Sequence, residues 1–254
     1  MIIRLVRTIA FNIWFVAWTA VALIAFLPTL AMPRQATMFG QRVWARGMNL
    51  GMRWLIGLRF EIRGKHNLPP GPAIIASKHQ SAWDTMIWHL EVPDPAVVMK
   101  RELLNIPIYG WYCRHTRQIP IDRGAGASAL KNMLHSAGVA RDMARHLIIF
   151  PEGTRVAPGQ TGNYHPGVAA LYRHLKLPVV PVALNSVLFW GRHAFMKRHG
   201  TIVLEYLAPI TPVLDRTTFQ HHPAAHLQAA NTRTTTHVAP PLPSRSPAPP
   251  PPPT

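Results

Sequence analysis

Short apolar runs alternate with segments of helical periodicity between residues 58 and 210. Each run is rich in branched residues and bounded by polar or turn-forming residues, which is typical of a buried strand. The candidate strands are 73–77, 97–99, 118–121, 147–150, 179–184 and 202–207. Because strands that alternate with helices are typical of α/β proteins, the pattern predicts an α/β fold with a mixed sheet flanked by helices.

Two helices are predicted between these strands. Apolar residues at helical spacing from Leu130 to Ala144, interrupted by Arg141, predict an amphipathic helix. A second helix is predicted to begin at Pro166, since proline is well accommodated at the first helical position, and to continue through VAALYRHL. Open α/β sheets usually bind ligands at the carboxyl ends of their strands, so polar residues there are candidate site residues.

A long apolar segment precedes this region, with no charged residue from Thr8 to Met32. It is long enough to cross a bilayer, and arginines on both sides leave its orientation open. A secretory signal is disfavoured because the apolar stretch is too long and lacks a convincing cleavage site. Asn12 and Pro28 leave a helical hairpin, or an interfacial helix through Trp44 and Trp54, as alternatives to a straight span. The pattern predicts an N-terminal membrane-associated helical segment.

The end of the chain differs in composition and reads VAPPLPSRSPAPPPPPT. Such a segment cannot bury enough apolar surface to offset the entropy lost on ordering, so we expect a disordered tail. The sequence therefore predicts three regions. They are a membrane-anchoring helical region at 1–57, an α/β domain at 58–210 and a basic, proline-rich tail at 211–254.

The charge balance predicts an anionic partner. Lys and Arg number 27 against 10 Asp and Glu, for a net charge of +17. Nucleic acid, anionic lipids and phosphorylated substrates all suit this charge, but the absence of a recognisable motif and the apolar segment disfavour a nucleic-acid-binding protein. A single cysteine, Cys113, excludes an intrachain disulfide and a cysteine metal cluster, and the 14 histidines lack HExxH or comparable spacing. We therefore predict no metal site.

The stretch SKHQSAWDT at 77–85 contains the strongest candidate chemistry. Ser81 followed by Asp84 is a capping-box pattern, which indicates a helix start. On a straight helix His79 and Asp84 would lie about 140° apart and could not share a face. If His79 lies in a loop and Asp84 in the first helical turn, the carboxylate can reach the imidazole. Such a pair holds one tautomer and makes the imidazole a better general base, so a helix cap and a catalytic pair both remain open.

Two further strand ends carry charged residues, in IPIDRG at 119–124 and FPEGTR at 150–155. Taken alone, each is typical of a solvated turn with a surface salt bridge. An arginine beside glycine and exposed amides can also bind a phosphate bidentately. The apolar VVPVALN at 179–185 is typical of a buried core strand.

In this order, KHQSAWD, IPIDRG, FPEGTR and VVPVALN resemble the four sequence blocks of the glycerolipid acyltransferase family, over residues 58 to 210. The resemblance, particularly to the bacterial enzymes, implies transfer of an acyl group to the sn-2 hydroxyl of 1-acyl-sn-glycerol 3-phosphate, giving phosphatidic acid for phospholipid biosynthesis. The donor would be acyl-CoA or acyl carrier protein as co-substrate, with no cofactor. Another lysolipid acceptor, such as a lyso-ornithine lipid or other lysophospholipid, remains open, as does a non-enzymatic, basic membrane-bound binding protein.

The resemblance also implies roles for individual residues. His79 would be the general base, and Asp84 would orient it. The pocket for the glycerol phosphate would be formed by Arg123, Glu152, Gly153, Thr154 and Arg155, with Glu152 orienting Arg155 or a glycerol hydroxyl. Pro181 would line the acyl or thioester channel, and a backbone amide near Lys100 would stabilise the oxyanion.

One position departs from the family pattern. Lys78 stands where the family often has asparagine, and its cation would assist anion binding or lower the affinity of His79 for a proton. The expected partners are membrane lipids, lysophosphatidic acid and the acyl donor, with no nucleic acid. The expected location is a bacterial inner membrane, with the catalytic domain on the cytoplasmic side.

Overall fold

A computed structural model describes residues 1–122, 124–154, 167–191 and 194–211. Within these residues the chain forms a seven-stranded sheet with spatial order β1-β7-β6-β2-β5-β3-β4. The strands are β1 (Leu58–Arg63), β2 (Ile74–Ser77), β3 (Ala96–Lys100), β4 (Ile119–Ile121), β5 (Leu147–Ile149), β6 (Val179–Leu184) and β7 (Gly200–Tyr206). Neighbouring strands are parallel except β6 and β7, which are antiparallel. The predicted mixed sheet is confirmed.

The central strands β2, β5 and β6 are buried along their whole length. Apolar clusters cover both faces of the sheet, one around Trp83 and Trp88 and the other around Met133 and Leu171. Burial on both faces explains why these strands read as continuous apolar runs. Every predicted run forms a strand, but β1 was not predicted. It is an edge strand whose charged residues alternate with apolar ones in LRFEIR, and this period of two was the available signal.

Seven α-helices surround the sheet in the described part of the chain. They are α1 (Ile2–Ala25), α2 (Arg34–Gly51), α3 (Trp83–Met86), α4 (Trp88–Glu91), α5 (Tyr109–His115), α6 (Gly126–Asp142) and α7 (Gly167–Leu175). Helix α6 is the predicted amphipathic helix, with Met133 and Ala137 buried against the sheet. The predicted start of the other helix, Pro166, and residues 212–254 of the predicted tail lie outside the described residues.

The N-terminal residues form an antiparallel helical hairpin of α1 and α2, joined by a 3-10 turn at Leu27–Ala31. The rings of Trp14 and Trp18 stack with centroids 5.6 Å apart, and their indole N–H groups donate to the carbonyls of Gly47 (3.1 Å) and Trp44 (3.0 Å). A Cβ atom on Gly47 would lie 2.3 Å from Trp18, and one on Gly51 would lie 2.2 Å from Trp14. The close approach of the helices therefore requires glycine at these positions.

The hairpin packs against the sheet domain. Phe11 is fully buried and meets Trp190 edge to face at 5.4 Å. The Lys197 ammonium donates to the Asn12 side chain over 2.8 Å, so the polar residue that interrupts the apolar segment has a partner in the domain. The segment Ile2–Ala31 is long and apolar enough to cross a membrane, and an 18-residue stretch within it has a mean hydropathy of 2.1. Much of its apolar surface is exposed.

Candidate active site

The candidate residues converge on one edge of the sheet. Strands β2, β5 and β3 are parallel neighbours, so the loops after Ser77, Ile149 and Lys100 leave the sheet on the same side. A cavity of about 950 Å³ opens there. Its lining includes residues that follow β2, β3, β4 and β5, namely His79, Lys100, Asp122, Phe150, Gly153 and Thr154. The structure thus brings together candidates separated by many residues in sequence.

Asp84 lies in the first turn of α3, and its carboxylate folds back onto the loop that carries His79. Asp84 Oδ2 accepts hydrogen bonds from the backbone amides of Gln80 and Ser81, the latter at 2.6 Å, and lies 3.4 Å from His79 Nδ1. The same carboxylate therefore binds amides of the loop before α3 and contacts the imidazole. The N-cap residue of α3 is Ala82, without a side-chain cap, so Asp84 orders the loop that carries His79.

The other carboxylate oxygen, Asp84 Oδ1, accepts hydrogen bonds from Ser81 Oγ at 2.8 Å and Ser186 Oγ at 2.6 Å. Asp84 is completely buried, and these donors offset the cost of removing its charge from water. Ser186 lies in a short 3-10 turn shortly after β6 and was not predicted. Its position directly after VVPVALN was the only sequence signal available.

The contact with Asp84 defines the protonation pattern of the His79 ring. An ionised carboxylate can only accept a hydrogen bond, so the contact places a proton on Nδ1 and leaves Nε2 as the acceptor. The ring packs against Phe150 with centroids 4.4 Å apart and planes inclined at 30°. The His79 side chain remains 16% exposed and lines the cavity. This arrangement suits a proton acceptor facing a substrate.

Lys78 and Glu152 lie beside each other as a buried ion pair. Their side chains are 4% and 1% exposed, and Lys78 Nζ lies 3.3 Å from Glu152 Oε1. The His79 backbone amide donates to Glu152 Oε2 over 3.4 Å. A buried charge requires a nearby counter-charge, and these two charges face each other. The expected roles of Lys78, in anion binding or in lowering the proton affinity of His79, and of Glu152, in orienting Arg155 or a glycerol hydroxyl, stay predictions.

The remaining predicted residues divide into three groups. Gly153, in a left-handed conformation with φ of 62°, Thr154 and Lys100 line the cavity. Arg123 and Arg155 lie outside the described residues. Pro181 is inside the sheet on β6, level with Ala76 of β2, and its carbonyl accepts the Leu207 amide at 2.9 Å. It is not among the described residues that line this cavity, and its expected place in an acyl or thioester channel stays a prediction.

Comparisons with known proteins identify the family. A family model described as Acyltransferase matches residues 59–185. A 1-acyl-sn-glycerol-3-phosphate acyltransferase from Pseudomonas aeruginosa is 34% identical over 202 residues, which cover 79% of each chain. This chain belongs to the acyltransferase family. The acyltransferase is also 32% identical over 169 residues to the human 1-acyl-sn-glycerol-3-phosphate acyltransferase alpha, over 64% of this chain and 59% of the human one.

A solved structure shows the same fold. The crystal structure of the 1-acyl-sn-glycerophosphate acyltransferase from Thermotoga maritima superposes with a TM-score of 0.73 and 17% sequence identity. The match covers 91% of this chain and 98% of that one, and therefore includes the helical hairpin as well as the sheet. With the family match and the 34% identical relative, the chain is an O-acyltransferase, and its sheet carries the histidine–aspartate pair at its carboxyl edge.

The rest of the acyltransferase cavity extends from His79 to the hairpin. Trp44 of α2 and His89 of α4 meet edge to face with centroids 6.3 Å apart, and both line the cavity. Burial, followed by the charge of Arg42, lowers the pKa of His89 to about 4, so this imidazole is neutral at neutral pH. Burial raises the pKa of Cys113 to about 11, which leaves it a thiol rather than a thiolate nucleophile. Sequence reasoning did not predict that Trp44 and His89 share the cavity.

Proposed function

We propose that this acyltransferase transfers an acyl group from an acyl thioester to the sn-2 hydroxyl of 1-acyl-sn-glycerol 3-phosphate and forms phosphatidic acid. The observation that carries the proposal is the buried Asp84 carboxylate contacting Nδ1 of a His79 ring that lines a large cavity. The names of the Pseudomonas and human relatives support the acceptor. The donor is acyl-CoA or acyl carrier protein, and the reaction requires no bound cofactor.

In the proposed reaction, His79 Nε2 takes the proton from the lysolipid hydroxyl as that oxygen attacks the thioester carbonyl. Asp84 stabilises the imidazolium that forms. The carbon–sulfur bond of the tetrahedral intermediate then breaks, and the thiolate leaves and recovers the proton from His79. An ester bond replaces the thioester bond, and no acyl-enzyme forms. A backbone amide near Lys100 is proposed to stabilise the oxyanion, since Lys100 borders the same cavity.

The glycerol phosphate is proposed to bind in the part of the cavity lined by Gly153 and Thr154, with Arg123 and Arg155. The left-handed conformation of Gly153 shapes the turn that carries Thr154 to the cavity, and the Gly153 amide closes this turn by donating to the Phe150 carbonyl at 2.9 Å. An arginine next to such a turn can bind phosphate through two parallel hydrogen bonds. The net charge of +17 favours an anionic substrate.

The hairpin is proposed to hold the enzyme at a bacterial inner membrane, with the sheet domain on the cytoplasmic side. Apolar side chains along α1 are exposed, and Trp54 is 71% exposed at the end of the hairpin. Tryptophan favours the boundary between lipid and water. Because the cavity wall includes Trp44 of the hairpin, a lysolipid could enter from the bilayer beside the helices.

The test measures transfer of labelled acyl groups from acyl-CoA to 1-acyl-glycerol 3-phosphate by membranes that contain wild type or His79→Ala enzyme. Loss of a general base lowers the rate by about 10² to 10⁴. His135→Ala is the matched control, because His135 is exposed on α6. We expect phosphatidic acid from wild type and control, and almost none from His79→Ala at equal protein levels.

Each departure from this result contradicts a different part of the proposal. A wild type that acylates only another lysolipid, such as a lyso-ornithine lipid, contradicts the acceptor but retains the mechanism. Equal rates for His79→Ala and wild type contradict the role of the base. Activity with acyl carrier protein alone identifies the donor.

A further inference from the structure

A buried ion pair joins two of the loops at the carboxyl edge of the sheet. Lys78 directly precedes His79, and its backbone amide donates to the Val182 carbonyl at 3.2 Å, which continues the pairing of β2 with β6. Glu152 lies in the loop after β5, on the other side of β2. The two side chains meet over 3.3 Å and are almost inaccessible to solvent. Because both charges are buried, each requires the other as its counter-charge.

The loop after β5 also contacts His79 directly, on both its backbone and its ring. Glu152 Oε2 accepts the His79 amide, while Phe150 packs against the imidazole at 4.4 Å. The carboxylate that neutralises Lys78 therefore also fixes the peptide from which the imidazole projects. A change in this ion pair would move the backbone of His79 as well as the charge near it.

We propose that Lys78 and Glu152 act as a pair of positioning residues that hold His79 and balance the charge beside it. This proposal rests on the proposed role of His79 as general base. The anion of Glu152 favours the protonated imidazole, whereas the cation of Lys78 disfavours it. With both present, the two opposing fields offset each other at the imidazole.

The experiment compares Lys78→Met, Glu152→Gln and the double variant with wild type, using purified full-length enzyme in lipid and a lysolipid that wild type acylates. The readout is the acidic limb of the pH profile of kcat/KM, where activity falls as the base becomes protonated. Other titratable groups that face His79 or share its cavity are kept in every variant: Asp84 from α3, His89 from α4, Lys100 and Asp122 from the ends of β3 and β4, and Tyr109 and Cys113 from α5.

The two single variants should move this limb in opposite directions. Lys78→Met leaves the carboxylate unbalanced and moves the limb to higher pH, while Glu152→Gln leaves the ammonium and moves it to lower pH. Each displacement should be about one to three pH units, as expected for a unit charge about 4 to 12 Å away at an effective dielectric constant of about 20. The double variant should return the limb to the wild-type position, with kcat reduced more than KM is raised.

An exposed ion pair provides the matched control. Arg63 and Glu61 on β1 lie 2.7 Å apart at the surface, and Arg63→Met with Glu61→Gln should leave the limb unchanged. The melting temperature should fall in each single variant of the buried pair and recover in the double variant. A limb that stays at the wild-type position in either single variant, or moves the same way in both, overturns the proposal.

Where a single variant does not fold, the double variant carries the test, because it leaves neither member of the pair as an unpaired buried charge. Its limb should coincide with that of wild type, and a displaced limb overturns the proposal. Failure of the proposed function is distinguishable, since it appears as a wild type inactive with every lysolipid tested or as an active His79→Ala. If only the positioning role is wrong, wild type is still active and His79→Ala still inactive, but the acidic limb does not move as predicted.

Discussion

Helices α1 and α2 are held together by close packing along the seam between them. The loop that carries His79 is instead held by directed hydrogen bonds. In the seam, Gly47 leaves room for an indole ring that a methyl group would overlap. In the loop, four hydrogen bonds from amides and hydroxyls converge on Asp84, a side chain with no access to water. A shape contact should tolerate changes of charge but no added volume. A hydrogen-bonded contact should fail when its polarity changes at constant volume.

Asp84→Asn tests the hydrogen-bonded region with almost no change in volume and should give the largest effect. An amide has one acceptor oxygen, so its NH₂ group must face either the donors at Oδ1 or those at Oδ2. The variant also loses the charge that stabilises the imidazolium. We expect kcat to fall by about 10² to 10⁴ and the melting temperature to decrease, as measured by acyl transfer and thermal unfolding.

The control for this change is Asp142→Asn on α6. Its carboxylate is 66% exposed and paired with Arg141 at the surface, so neither kcat nor the melting temperature should change appreciably. An Asp84→Asn enzyme with wild-type kcat would contradict the role of the carboxylate in catalysis. It would also indicate that the four donors serve only the start of α3.

Gly47→Ala tests the seam by adding volume without polarity. The new Cβ would lie 2.3 Å from Trp18, so the helices must separate, and overpacking of this kind costs about 1–3 kcal/mol. Gly138→Ala on α6 is the matched control, because its Cβ would meet nothing within 4 Å. Removing a helical glycine there should stabilise the protein by about 0.5–1 kcal/mol.

Denaturant unfolding should therefore give opposite signs for these two substitutions. Equal effects would show that the seam can open without cost, contrary to the close packing of its indole rings. At a temperature where Gly47→Ala is folded, its kcat/KM should keep the wild-type acidic limb of the pH profile. The reason is that the seam makes no hydrogen bond to Asp84 among the described residues.

His89 lies between the two regions, against Trp44 and within the cavity, and should give the smallest effect. Burial lowers its pKa from 6.5 to about 4, so the unfolded chain binds the proton first as the pH falls. Stability that is present above pH 6.5 is therefore lost between pH 6.5 and about 4. His89→Gln should reduce the fall in melting temperature over this window. His135→Gln, an exposed control on α6, should retain the wild-type dependence of melting temperature on pH. The same result for His89→Gln would show that the His89 ring is solvated in the folded state.

Much of the fold could be predicted from local pattern. Apolar runs marked every strand buried on both faces, while β1 was missed because its alternating charges place it at an edge. The contact between His79 and Asp84 was also predictable as a geometry, since it depends on a strand end and a helix start five residues apart. The proton-transfer role of the pair stays a prediction until it is measured.

Long-range partners were not predictable in the same way. Ser186 donates to Asp84 from 102 residues away, and Glu152 accepts the His79 amide from 73 residues away. Trp44 reaches the cavity because the hairpin docks on the sheet. No local periodicity encodes such contacts, because they depend on which strands are neighbours and on how far each loop projects beyond the sheet.

By itself, the sequence determined where the strands and the amphipathic helix lie, that charged residues gather at strand ends, and that His79 and Asp84 can meet. These features arise from burial periodicity and from hydrogen bonds within one turn of chain. Only the tertiary structure decided that Lys78 and Glu152 lie beside each other as a buried ion pair. A buried charge must find its partner in space, and the order β6-β2-β5 brings that partner beside it.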